Sequence, residues 1–342
     1  MFTSWLAALL LTTAQVQDPV ATDNGADPAP EVASDATPQL QLPAAPAEEP
    51  DVVLSSARDY AAFHHTVSGL QEAPIGSAED LDYAMDQLTR FYGEERLVRA
   101  WIAYAAIVAA RHPEYIDEVR ELADYYGPEA AISGLMNDPA FATSFGSAGE
   151  AQDSVVSAID QDNAEIVGLS ERYRAAAYDL QSERWANRVY RDRQERLATL
   201  SDIDNSPIEL PEDVRLSLDY GVASGLPASA LFEPPSAGLT DEAIGPELTL
   251  TVGQTTRNPD RERVGRILSI AALQSLDGMT DTDAAIDYLL ADPVVERCLA
   301  WVRLDLSQCV AAGHFKYEDS FCIAEHALLD VSRCLATETG GD

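Results

Sequence analysis

All four cysteines of the chain, Cys298, Cys309, Cys322 and Cys334, fall within its last 45 residues. The spacings are eleven, thirteen and twelve residues. Val294 to Ala312 reads as one helix and Glu318 to Leu335 as another, with Gly313-His-Phe-Lys-Tyr317 as the turn and Gly313 as the residue that closes the first helix. In an antiparallel hairpin, Cys309 and Cys322 lie just before and just after that turn. At about 1.5 Å per residue, Cys298 then lies about 16 Å down one helix and Cys334 about 18 Å down the other. A bond within either helix would have to span some 16 Å, against a Cα separation limit of about 7 Å. Crossed pairs fail on the same ground. The nested set Cys309–Cys322 and Cys298–Cys334 remains. Eleven residues rotate about 20° past three turns and twelve about 120°, so Cys298 and Cys309 share a face and Cys334 stands off it. The expectation is therefore a strained outer bond. A competing arrangement is a zinc site, since Cys309-x4-His314 and Cys322-x3-His326 bring two Cys and two His to the turn. Zinc would leave Cys298 and Cys334 idle.

The hairpin outline resembles the twin-CX9C helical hairpins, although the spacings depart from nine. The resemblance implies a stapled-hairpin geometry alone. Disulfides belong to oxidising compartments, and the N-terminus points the same way. Trp5 to Leu11 is a short apolar run followed by Thr12-Thr13-Ala14, the pattern of a secretory signal cleaved after Ala14, though the leading residues carry no Lys or Arg. The run is too short to span a membrane. Residues 15–51 are rich in Pro and Ala, with eight acidic and no basic residues, and read as a disordered tether.

Helix signals fill residues 52–201. Ser77 is an N-cap, and Gly93, Pro113, Gly127-Pro128 and Asp138-Pro139 punctuate the pattern. Between Glu94 and Arg111 nearly every face is apolar, which marks a central core helix. Asp153 to Leu200 lacks proline, and Ile159, Ile166, Leu169, Tyr173, Ala177 and Leu180 recur at helical spacing, so one long amphipathic helix is expected. A coiled-coil seam is the alternative there, a poor one with Tyr and Ala at its contact positions. Seven prolines break up residues 202–259, an irregular connector with one short strand near Leu248–Val252. Helices resume at Asp260–Leu276 and Thr282–Leu290. The expected fold is all-α: a signal peptide at 1–14, the tether at 15–51, a helical bundle at 52–201, the connector at 202–259, and a helical domain with the four-Cys hairpin at 260–342.

Charge narrows the function. The chain has 22 Lys and Arg against 58 Asp and Glu, a net of −36. Such a field repels phosphate backbones and anionic lipid, so nucleic acid is not an expected partner. No nucleophile elbow, zinc-protease helix, P-loop or dinucleotide fingerprint is present, so no cofactor and no catalytic residue is assigned. Asp202-Ile-Asp204-Asn-Ser206 begins like a calcium loop, but Pro207 stands where glycine is needed and Asp213 where glutamate is. His64 and His65 point about 100° apart on a helix and read as surface or half-buried histidines. One cluster stands out. Arg184, Arg188, Arg191, Arg193 and Arg196 surround Trp185 and Tyr190, and Arg257, Arg261, Arg263 and Arg266 form a second group. Such arginines either pair internally with acidic helices or form an anion site for a carboxylate, a phosphate or an acidic protein segment. Arg184, Arg188 and Arg191 are the candidate partner face.

The segments Leu97-Val-Arg-Ala-Trp-Ile-Ala-Tyr, Leu180-Gln-Ser-Glu-Arg-Trp and Tyr317-Glu-Asp-Ser-Phe-Cys-Ile-Ala-Glu-His resemble uncharacterised exported helical proteins of alphaproteobacteria. That resemblance implies no activity. The expected function is a non-catalytic envelope protein that binds or scaffolds a protein partner. The alternative is an envelope-acting hydrolase using carboxylates that no motif identifies.

Overall fold

The computed structural model describes residues 51–93, 95–189, 197, 208, 210–232, 259–277 and 282–336. The signal run, the tether, the 248–252 segment, Arg191, Arg193, Arg196 and Arg257 lie outside the described residues.

Local sequence starts most helices. Helix α1 (Val52–Glu72) begins where the Asp51 carboxylate accepts from Val53 N at 2.9 Å, and α2 (Ala78–Thr89) where Ser77 Oγ accepts from Asp80 N at 3.1 Å. Helix α3 (Arg96–Ala109) follows. Prolines open α4 (Pro113–Tyr126), α5 (Pro128–Asn137) and the short α6 (Pro139–Ala142), where a missing N–H costs nothing. Gly127, at φ +90°, makes the bend between α4 and α5. Helix α7 (Ala148–Asp179) is capped from a distance: Glu118 of α4 accepts from Gly146 N, Ser147 N and Ser147 Oγ. Those hydrogen bonds hold its carboxyl below the usual range. Helices α8 (Glu212–Ser224), α9 (Pro259–Ser275), α10 (Asp283–Leu290) and α11 (Pro293–Ala312) follow. The last helix, α12, is a continuous rod of Tyr317–Cys322, a π-wound segment Ile323–Leu329 and Asp330–Leu335. The described residues hold no strand, only an isolated bridge between Val189 and Phe315.

Helix α3 is buried nearly all round, with Trp101, Ile102 and Tyr104 at its centre, as a helix apolar on every face must be. Helix α1 packs along it, and the Phe63 and Phe91 rings meet edge to face at 5.4 Å. Helix α9 covers α3 and lies so close to α6 that a Cβ on Gly265 would sit 2.1 Å from the Pro139 carbonyl oxygen. Helix α7 packs against α1 and α3 on one side and α12 on the other, and α11 runs along α12 as an outer layer. The helices on both sides of the 202–259 segment thus belong to one unit, Glu49–Asp342.

The 202–259 segment, expected to be an irregular connector, holds the thirteen-residue helix α8 between Pro211 and Gly225. Three further sequence expectations need correction. The long helix ends at Asp179, not Leu200. Residues 180–188 turn back on themselves, with Asn187 Nδ2 donating to Gln181 O at 2.6 Å, and Ala186 docks its carbonyl on Tyr317 N at 3.2 Å. Tertiary contact stops this helix where no proline does. Gly313 is extended (φ −57°, ψ 137°) rather than left-handed; α11 ends because Glu318 Oε2 draws the N–H groups of His314 and Phe315 away from the helix. The third correction concerns Cys334. Cys298 pairs with Cys334 and Cys309 with Cys322, both at a Cα separation of 5.7 Å. The π segment removes the expected misalignment. Bonding from i to i+5 absorbs about one extra residue, so the twelve residues from Cys322 to Cys334 wind like eleven, about 20° past three turns. That matches the eleven from Cys298 to Cys309 on the facing helix. Carbonyls within the loosened winding take side-chain donors instead: Ser170 Oγ donates to Ala324 O at 2.8 Å, and the Tyr92 hydroxyl to Ala327 O.

Candidate binding face beside the hairpin turn

The turn that ends α7 carries the first arginine cluster. Trp185 is half-buried and Ala186 fully buried, and together with the Asn187 bonds they anchor the turn. Arg184 and Arg188, on either side of that anchor, project into solvent. Neither forms an ion pair among the described residues. Arg188, Trp185 and Val189 line one wall of a notch of about 620 Å³. The other wall is the start of α2, from Gly76 to Glu79, with Asp82 one turn on. Lys316, the one lysine of the chain, lies at the base. It is 5% exposed, and its Nζ is held by Asp82 and, at 2.9 Å, by Asp319 Oδ2. Its charge is therefore spent inside the protein. Outward positive charge beside the notch comes from Arg188 on its wall and from the exposed Arg184 outside its lining, and the planar forks of both suit carboxylate or phosphate oxygens. Arg191 lies outside the described residues, so the structure brings together two of the three residues of the expected face.

Of the second arginine group, Arg263 and Arg266 are internal. The buried Arg263 stands 5.7 Å from the Trp101 ring centroid, faces Asp292 at 3.9 Å and donates to the Ala336 carbonyl. Arg266 donates to Ala291 O at 2.8 Å. These side chains hold α9 against the ends of α10 and α12 and leave nothing for a ligand.

A polar knot joins α1 and α7. His64 is fully buried, not at the surface: its Nδ1 lies 2.8 Å from Glu165 Oε2, and its Nε2 has no partner. Asp162, also buried, accepts from both the N–H and the hydroxyl of Ser229 at 2.8 Å. Tyr60 packs its ring 4.7 Å from that of His64, and burial first, then the Asp162 charge, push its hydroxyl well above its ordinary pKa. The residue types resemble a hydrolytic set. With His64 and Asp162 buried and Glu165 half-buried, the knot fixes α1, α7 and the 229–231 turn in register. An acidic residue on the apolar stripe of α7, between Ile159 and Ile166, was its one sequence signal. A separate depression of about 590 Å³ is lined by Asp51, Asp277, Asp283 and Asp287, of which Asp287 is paired with Arg99 at 2.5 Å.

The zinc arrangement read from Cys309, His314, Cys322 and His326 is closed, because both cysteines are in the inner disulfide. Among the described residues no helix is long and apolar enough to cross a membrane. Comparison with protein-family models, curated proteins and solved structures finds no match to the chain.

Proposed function

We propose that this chain is an exported, non-catalytic binding or scaffolding protein of the cell envelope, and that Arg184 and Arg188, continued by Arg191, receive an acidic segment of a protein partner. One observation carries the reading: two exposed arginines, without an ion pair among the described residues, flank an anchored tryptophan beside a notch, on a chain whose net charge is −36. Unspent guanidinium groups on so acidic a molecule offer local attraction where the rest of the surface repels. The paired cysteines suit an oxidising compartment, and the apolar run Trp5–Leu11, with cleavage after Ala14, supplies the route out of the cytoplasm.

The test is capture from an envelope fraction with the native chain and with an Arg184→Gln/Arg188→Gln variant. The native protein should begin at or near Gln15 and retain a partner, with retention weakening as salt rises. The variant should lose the partner at an unchanged melting temperature, since both side chains are exposed and unpaired. Equal retention by the variant, or an intact Met1 on protein confined to the cytoplasm, contradicts the proposal.

A further inference from the structure

The two disulfides bracket a third set of side chains. Asp305 lies on α11 between Cys298 and Cys309, and His326 and Asp330 lie on α12 between Cys322 and Cys334. One potential ligand atom from each of these three residues falls within 4.8 Å of the other two. His326 Nδ1 and Asp330 Oδ2 are 2.8 Å apart. The two atoms share a hydrogen bond; ligands bound to one zinc ion at about 2.0–2.2 Å stand roughly 3 Å or a little more from one another, so zinc would replace that bond with little movement of either side chain. The other oxygen of Asp330 accepts from Arg333 Nη1 at 2.9 Å, a contact that orients the carboxylate as outer-shell partners do. Asp305 forms no hydrogen bond or ion pair among the described residues, yet it stands against a second carboxylate. An unpaired like charge held at this range by two covalent crosslinks is a site whose repulsion a cation relieves.

We propose that Asp305, His326 and Asp330 form a zinc site that joins the two helices of the hairpin. One imidazole and two carboxylates form a borderline-hard ligand set that suits this ion. Water completes the coordination, since the site opens on the surface between the helices. The π winding contributes directly: His326 lies within it, and Asp330 follows at its end. Bound zinc is a third, reversible link between α11 and α12, placed between the two permanent ones.

With 58 acidic residues the chain will bind divalent ions weakly in many places, so the test must separate this site from that background. Disulfide-intact full-length protein is stripped with chelator, desalted and titrated with zinc chloride by calorimetry, beside His326→Gln and Asp305→Asn. The native chain should take up about one equivalent at least tenfold more tightly than either variant, in line with the loss seen when metal-site residues are removed. Its melting temperature should rise with zinc, and those of the variants should not. Far-UV circular dichroism checks that each variant folds, and Asp305→Asn, which breaks no existing contact, secures the comparison. Equal affinity in native and variant proteins, or uptake by the native chain only at the background level, overturns the site.

Discussion

The α1–α3 pair and the α11–α12 hairpin are held together by different physics. Helix α3 buries almost every side chain it has, and α1 fits along it through Tyr60, Phe63 and Val67. Close packing of large apolar groups suffices there, and no crosslink is present. Helix α11 buries a single stripe, Val295, Leu299, Val302, Leu306 and Val310, and leaves Val294, Trp301 and Leu304 exposed on its outer face. One stripe on an outer helix removes too little surface from water to hold a twenty-residue helix firmly against conformational entropy. Two disulfides supply what packing does not. The chain places its covalent bonds along an outer helix that buries only one stripe.

The largest effect should come from changing all four cysteines to alanine. Each bond contributes roughly 2–4 kcal/mol by the loop-entropy model, and the loss should fall on one region. Hydrogen exchange across residues 293–312 should approach the rate of a frayed helix, while α1 and α3 keep their protection. Equal loss of protection in α1, α3 and α11 would break the contrast.

A smaller effect should follow a change in the winding of α12. Deleting Leu329, a half-buried residue at the end of the π segment, should let the helix close into ordinary α winding. Cys322 and Cys334 would then be eleven residues apart, matching Cys298 and Cys309, and both disulfides should still form with a modest fall in melting temperature. Deleting Leu304 from α11 instead would turn Cys309 about 100° away from Cys298 and should leave free thiol. Free thiol in the Leu329 deletion would show that the π segment does not absorb the extra residue.

How far the sequence reaches differs between these regions. The nested pairing was legible because helical rise and the reach of a disulfide are fixed quantities. The π segment was not: Ile323 to Leu329 contains no proline or glycine, and the winding is set by the cysteine across the hairpin and by donors from Ser170 and Tyr92. The centrality of α3 was legible from apolar residues on every face. The end of α7 at Asp179 was hidden because docking of Ala186 on Tyr317 stops it. The arginines stood out by composition, but only packing separates the internal Arg263 and Arg266 from the exposed Arg184 and Arg188. His326 stood out only beside Cys322, because bringing Asp305 to His326 and Asp330 depends on the register between two helices.

The central claim is that α11 and α12 are stapled face to face, with the π segment bringing Cys334 over Cys298. Peptide mapping of the native protein under non-reducing conditions tests it most directly. The account predicts Cys298–Cys334 and Cys309–Cys322 with no free thiol. A Cys298–Cys309 or Cys322–Cys334 peptide, or a free Cys334, would contradict it.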